Sequence, residues 1–371
     1  MRALRRPGRC AGPAHTLCYD GTVHLVGLRL VNVGPFGDRT IPFADERANP
    51  RPVVVIHGAP GTGKSLLLSA IAHTRPGHVS VPQRRGPLHG IRPHVVADWL
   101  LHQEDPERPH PLRLVSPNAR PEGEGEALRR KEQQLFDRRA HEGGFVVVGI
   151  PAHRFFSRQP VSIAAPQRSV LRYDLRGAAA LADSTRFDLT RATKTTLAYA
   201  EIAGSLAERD GGPRTAPDPA VLRQGLRRAL EVVLPAVGLA FEGVDPTTLE
   251  PRFSTDSGHL LPFDDLPAQA KNLVALVTLP AQAIFAGHDG ADPRASEAVV
   301  LVDDLEAHLG PTLEATVLDL LERALPAVQW IVSTASVRVA ASRGAGEVVA
   351  LRHDPADRTV EVALGTEAMT H

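Results

Sequence analysis

PVVVIHGAPGTGKSLLLSAIAHT, residues 52–74, passes from a β-branched apolar run through a glycine-rich turn into a helical pattern. Its centre is Gly58-Ala59-Pro60-Gly61-Thr62-Gly63-Lys64-Ser65, which fits G-x-x-x-x-G-K-S/T. The match carries weight because a strand precedes it and a helix follows. The glycines let successive backbone N–H groups converge on a polyphosphate, and the N-terminus of the following helix favours negative charge. Lys64 is then the expected contact to the β/γ-phosphates and Ser65 the expected Mg²⁺ ligand. Leu66 closes the expected contact set. A chance glycine-rich turn is the plain alternative, and the flanking elements argue against it.

This loop serves kinases, GTPases, AAA+ motors and ABC-type ATPases alike. The N-K-x-D run that specifies guanine is absent from the sequence. A second motif must discriminate among the others. Ala298-Val299-Val300-Leu301-Val302-Asp303-Asp304 is an apolar strand ending in two carboxylates. The first acid, Asp303, is expected beside the loop, holding Mg²⁺ directly or through water. The second, Asp304, is expected to polarise the attacking water. An acidic N-cap for the helix after Pro311 is the bland reading. More than two hundred residues separate Lys64 from Asp303, which suits a head split by an insert better than a compact AAA+ core or a small kinase.

Composition bounds the rest. With 371 residues the chain holds two domains, or one large domain with an insert, at about 100–200 residues per domain. Forty-two basic residues balance 42 acidic ones, which excludes a polybasic nucleic-acid coat and leaves room for a local basic patch. The two cysteines, Cys10 and Cys18, make neither a disulfide framework nor a four-ligand zinc site, so a reducing, cytoplasmic setting is expected. No apolar run approaches the ~18–20 residues that span a bilayer, and membrane insertion is not expected. Residues 1–20 lack a signal-peptide apolar stretch and read as a disordered extension. Only four of the basic residues are lysine: Lys64, Lys131, Lys194 and Lys271. In so arginine-rich a chain, a lysine at a place where arginine's planar fork would fail is a usable clue, and Lys64 is such a place.

Periodicity predicts strands at 23–31, 40–43, 52–56, 94–101, 112–115, 145–150, 298–302 and 328–333, with turns and strands across 241–253. Helices are predicted after the loop, at 191–209, 219–237, 312–324 and from about 266, and a charged, exposed helix within 122–144. The alternation of strand and helix in the last third argues for a parallel sheet.

The acidic strand and the segment after it, VLVDDLEAHLGPTLEATVLDLLERALPAVQWIVSTASVRVAAS, resemble the C-terminal half of ABC-type ATPase heads of the RecF/SMC/OLD-like group, often labelled "AAA family ATPase". The opening VHLVGLRLVNVGPFGDRTIPF resembles their N-terminal hairpin, so residues 22–75 and 255–353 carry the likeness. It implies an α/β P-loop NTPase fold: a mostly parallel sheet flanked by helices, an N-terminal antiparallel β subdomain and a helical insert. The expected lobes are 21–118 and 241–371, with a variable insert at 119–240. It also implies ATP and Mg²⁺ as ligands, pairing with a second head or a homodimer partner, and it leaves DNA or protein partners open.

Carried over, Asp303 matches the Mg²⁺-site aspartate of the Walker B motif, and Asp304 stands in the place of the catalytic glutamate. Glu306 and His308 match the acid and histidine that come next in that motif, while Gly310 replaces a second histidine. Ala335 stands in the place of the switch histidine that senses the γ-phosphate. The run 266–276, LPAQAKNLVAL, aligns with the signature L-S-S/G-G-E/Q-K/R-Q-x-x-A-L; Lys271 fits, while Pro267 and Gln269 replace the serine and glycine. Proline offers neither hydroxyl nor N–H. Aspartate for glutamate shortens the reach to water, and a ~1 Å misplacement costs ~10²-fold. Slow or activator-dependent hydrolysis is therefore expected. An ATP-binding regulatory module without turnover and an AAA+ motor are the alternatives.

Gln83, Gln103 and Gln159 are candidates for the glutamine loop between the halves, and each also reads as an ordinary surface residue. Arg120, Arg129, Arg130, Lys131, Arg138 and Arg139 make a basic face only if the interleaved glutamates are ignored. The GHDGADP loop, residues 287–293, lacks the trailing glutamate of a calcium loop.

Overall fold

The computed structural model describes residues 23–74, 88–101, 112–115, 134, 144–166, 188–210, 217–354 and 359–365. Strands β1 (Val23–Val33) and β2 (Phe36–Pro42) form the expected hairpin. β3 (Val53–Gly58) ends in the glycine-rich loop and belongs to a larger sheet. β4 (His94–Leu101) pairs antiparallel with β1, and β5 (Leu112–Val115) with β4, completing a four-stranded antiparallel sheet in the order β2-β1-β4-β5.

Next along the chain come β6 (Val147–Ile150) and a small antiparallel sheet of β7 (Leu239–Val244), β8 (Pro251–Thr255) and β9 (Leu260–Pro262). The last strands are β10 (Ala298–Val302), β11 (Val328–Thr334), β12 (Val348–His353) and β13 (Val360–Leu364). The large sheet has the order β13-β12-β3-β11-β10-β6, parallel throughout except for β13. β6, inside the 119–240 stretch, is thus a strand of this sheet.

The helices are α1 (Lys64–His73), α2 (Thr190–Asp210), α3 (Pro219–Val233), α4 (Ala268–Gly287), α5 (Pro311–Glu314), α6 (Val317–Ala324) and α7 (Val337–Ala341). Successive strand side chains point to opposite faces, and both faces of the large sheet are covered. Val54, Ile56, Val299, Leu301 and Ile331 pack with α1 and the inner face of the antiparallel sheet. Val53, Val55, Val300, Val302 and Trp330 pack with α3, α4 and α6. Burial on both sides is why these strands read as continuous apolar runs. Gln329 of β11 joins the two sheets: its Oε1 accepts from Leu25 N–H (2.8 Å) and its Nε2 donates to Leu25 O (2.9 Å) and Arg51 O (3.1 Å). It sits beside the β1 irregularity between Leu25 and Gly27.

Three sequence expectations need correction. The helix expected at 219–237 narrows to a 3₁₀ turn over Leu234–Val237, where Pro235 removes a backbone donor. The helix expected at 312–324 breaks between α5 and α6, where Thr316 N–H bonds to Leu313 O three residues back. α4 is long and apolar enough, by length and composition, to cross a bilayer, although its run is interrupted by small and polar residues; most of it is buried in the protein core. The strands β12 and β13 and the helix α7 are additions. The helix expected within 122–144, Gln134 apart, lies outside the described residues, as do Arg120, Arg129, Arg130, Lys131, Arg138, Arg139, Gln83, Gln103 and residues 1–20.

Candidate functional site

The strand order places β3 and β10 either side of β11, so the loop after β3 and the acids after β10 share one edge of the sheet. At ~4.8 Å per strand spacing they stand about 10 Å apart across that edge. In open α/β sheets ligands bind at the carboxyl ends of the strands. Gly61 and Gly63 adopt φ of 86° and 92°. A Cβ on Gly63 would lie 2.9 Å from Pro35 Cγ and 3.0 Å from Phe36 Cε2, so the hairpin turn leaves no room for a side chain. Ala59, Pro60, Gly61 and Ser65 are exposed, whereas Gly58 and Thr62 are buried. The Thr62 hydroxyl closes the turn onto Ala59 O (2.9 Å). α1 begins at Lys64 without a side-chain cap and without an acid in its first turn. Its leading N–H groups are therefore left for an external acceptor. Lys64 is buried, and its ammonium donates to Gly58 O (2.7 Å) and Ala59 O (3.2 Å). The Leu66 side chain points back onto Gly34 of the hairpin and packs with the core there.

Asp303 is 2% exposed. Ser333, at the end of β11, donates its hydroxyl proton to Asp303 Oδ1 (2.5 Å) and accepts from Asp304 N–H (2.9 Å). One hydroxyl thus fixes both acids. Asp304 sits at φ 44°, in the left-handed region that is sparsely populated by non-glycine residues. Burial raises its carboxyl above the ordinary range, Asp303 and Glu306 add to this, and Lys64 and Arg154 oppose it. Lys64 and Asp304 therefore feel each other's charge, which ties the two motifs electrostatically.

Arg154, four residues beyond β6, is a site residue that the sequence does not announce. It is 2% exposed, and its guanidinium donates to Asn272 Oδ1 (2.7 Å), Pro151 O (3.1 Å), Asp303 O (2.9 Å), Asp304 O (3.1 Å), Leu305 O (3.1 Å) and Ala307 O (3.2 Å). Burial lowers its pKa to about 10, with the three neighbouring acids pulling it up, so it stays charged at neutral pH. The only sequence signal is an arginine following PAH at the end of a buried strand. Its acceptors on the acid loop lie about 150 residues away.

Of the other carried-over positions, Glu306 accepts Ala335 N–H at Oε1 (2.7 Å), so the acid loop and the 333–336 turn do meet. His308 Nε2 lies 2.8 Å from Arg154 O. Pro267 is the N-cap of α4, and Lys271 donates to Asp264 O (2.7 Å). Gln159 donates to Ser157 Oγ (2.9 Å) and Asp188 Oδ2 (3.3 Å), on the side toward α2. Among the described residues no group of three or more His, Cys, Asp or Glu is arranged to hold a metal ion.

Neither a protein-family model nor a curated protein matches the chain. Solved structures do. The Smc head domain with an extended coiled coil bound to the C-terminal domain of ScpA, from Pyrococcus furiosus, superposes with a TM-score of 0.51 at 17% identity, covering 94% of this chain and 98% of that one. The SMC head domain from Thermotoga maritima gives 0.45 at 14% identity, over 92% and 98%. A SmcHead bound to the C-winged helix domain of ScpA gives 0.47 at 14%, over 94% and 100%. The fold is therefore that of an SMC-type head: a mixed α/β body with a mostly parallel sheet, flanking helices and an antiparallel sheet.

Proposed function

We propose that the chain is an ATP-binding head of the ABC type that hydrolyses ATP slowly or on activation, and that nucleotide controls its pairing with a second head. One observation carries the reading: the uncapped, glycine-shaped loop and the Asp303–Asp304 pair lie on one sheet edge, with both acids held by Ser333 of the strand between β3 and β10. The residues fit the ligand. Lys64 brings a buried ammonium, which the loop carbonyls hold in place. The N-terminal turn of α1, which no side chain caps, brings its leading amides. Ser65 and the free oxygen of Asp303 bring hard oxygen donors suited to Mg²⁺. Mg²⁺, when bound, would neutralise charge on the phosphates. Residues 58–66 bind and orient the phosphates, and Asp304 takes the position from which a carboxylate orients water.

A regulatory reading, with binding but negligible turnover, is favoured by Pro267 at the N-terminus of α4 and by Ala335, which has no side chain to reach a phosphate. Two variants separate the readings. Lys64→Ala is expected to weaken binding of a fluorescent ATP analogue at least tenfold, and unchanged affinity sinks both. Asp304→Asn is expected to keep binding and to lose about 10²-fold in turnover. Turnover that is absent in the wild-type chain and unaltered by Asp304→Asn selects the regulatory reading. Turnover at the rates ordinary for ABC enzymes overturns slow hydrolysis. Size measurement of Asp304→Asn with and without ATP tests the pairing.

A further inference from the structure

Arg154 is a buried cation without a carboxylate in hydrogen-bond contact among the described residues: the six acceptors it meets there are neutral oxygens. Burying a charge costs free energy that an apolar side chain of similar volume avoids. Packing alone does not explain such a residue. What it achieves is geometric. Four carbonyls of one short loop, those of residues 303, 304, 305 and 307, converge on a single planar group. Asp304 is held on both sides, its C=O by Arg154 and its N–H by Ser333. Only its side-chain torsions remain free, and its left-handed backbone is kept from relaxing. His308, at φ 68°, closes the far end of the loop onto Arg154 O.

The same guanidinium reaches α4 through Asn272, whose Nδ2 in turn donates to Ala307 O (3.2 Å). Arg154 and Asn272 together thus fasten the acid loop to the helix that begins at the signature-like turn. Lysine at position 154 offers three donors where arginine offers five in a fixed fork.

We propose that Arg154, with Asn272 as its anchor, is a positioning residue: it acts through the backbone of residues 303–307 to set where Asp303 and Asp304 stand relative to the phosphate loop. The inference rests on the nucleotide-site reading above. Arg154 touches neither nucleotide nor metal in this role. It is expected to matter for the steps that use the acids and to be indifferent for the steps that use the loop alone.

The test uses full-length Arg154→Lys and Asn272→Ala, with mant-ATP as probe. Affinity is measured in EDTA and in Mg²⁺, alongside turnover, melting temperature and amide hydrogen exchange. In EDTA both variants are expected within twofold of wild type. The gain in affinity on adding Mg²⁺ is expected to fall about tenfold in Arg154→Lys, and turnover, where the wild type has it, about 10²-fold. Asn272→Ala is expected to show a smaller loss of the same kind. Exchange is expected to quicken at 303–309 and not in β3 or α1. Arg154→Lys matching wild type in all readouts overturns the proposal. So does equal loss of affinity in EDTA and Mg²⁺ with exchange raised throughout, which would mark a general packing role. A wild-type chain that fails to bind mant-ATP overturns the nucleotide reading and this inference together. Binding by the wild type with an indifferent Arg154→Lys overturns this inference alone.

Discussion

Each lysine among the described residues points its ammonium at a main-chain carbonyl: Lys64 at Gly58 O and Ala59 O, Lys271 at Asp264 O, Lys194 at Gln159 O (2.6 Å). Lys194 also meets Glu250 Oε1 at 2.6 Å and Asp264 Oδ2 at 3.1 Å, and its side chain is 1% exposed. A compact ammonium serves such acceptors, in three directions at Lys194, and a planar fork serves them less well. For Lys64 that reason is visible in the motif alone; for Lys194 and Lys271 it emerges only from folded neighbours. Lys194→Met would leave two half-buried carboxylates facing each other, and a loss of about 3–5 kcal/mol in urea unfolding is expected. Lys194→Arg keeps the charge but overfills the site, with about 1–3 kcal/mol lost. Equal stability of Lys194→Met and wild type would mean the cluster is inert.

At the level of elements, the loop–helix unit at 58–73 and the strand 298–302 are legible in the sequence because their signals are local: residue type, spacing and flanking pattern suffice. β1, β4, β5 and α2 are legible for the same reason. β12 and β13 are not; VVALRH comes after a glycine- and alanine-rich turn and carries no alternation, and its place is set by β3 on one side and β13 on the other. Arg154 is hidden because every acceptor except Pro151 O lies more than a hundred residues away. The departures at Pro267 and Ala335 are visible as changes of residue, but the contact that links Ala335 N–H to Glu306 is not.

The start of β10 offers a pH test. Glu297 accepts Val23 N–H (2.7 Å) where β1 begins, and burial pushes its carboxyl up to about 7. Between the ordinary glutamate value of 4.5 and that raised value, the folded chain keeps a proton that the unfolded chain releases. Stability contributed by this group is therefore full below about pH 4.5, falls as pH rises toward 7, and stays lowered above. Glu297→Gln is expected to match wild type near pH 4.5 and to exceed it at pH 8 by about 1 kcal/mol, discounted for partial exposure. Thermal unfolding at both values checks this, and a difference of the same size at both would refute it.

Across the whole molecule, β3 is flanked by β11 and β12, and both come from beyond residue 327. Gln329 and Leu25, 304 positions apart, fasten the antiparallel sheet to the same assembly. Such long-range pairing implies slow folding, in the millisecond-to-second range typical of non-local topologies. A chain stopped after residue 327 contains the whole glycine-rich loop and both acids, yet β3 would lack both neighbours. It is expected not to bind mant-ATP, and wild-type affinity in that fragment would contradict the dependence on β11 and β12. During synthesis, then, the loop leaves the ribosome before its neighbours and waits. Its two flanking strands emerge only after residue 327. On the proposed reading, ligand competence is acquired only once residues 328–353 have been made, so a product stopped before them carries the full motif without sequestering nucleotide.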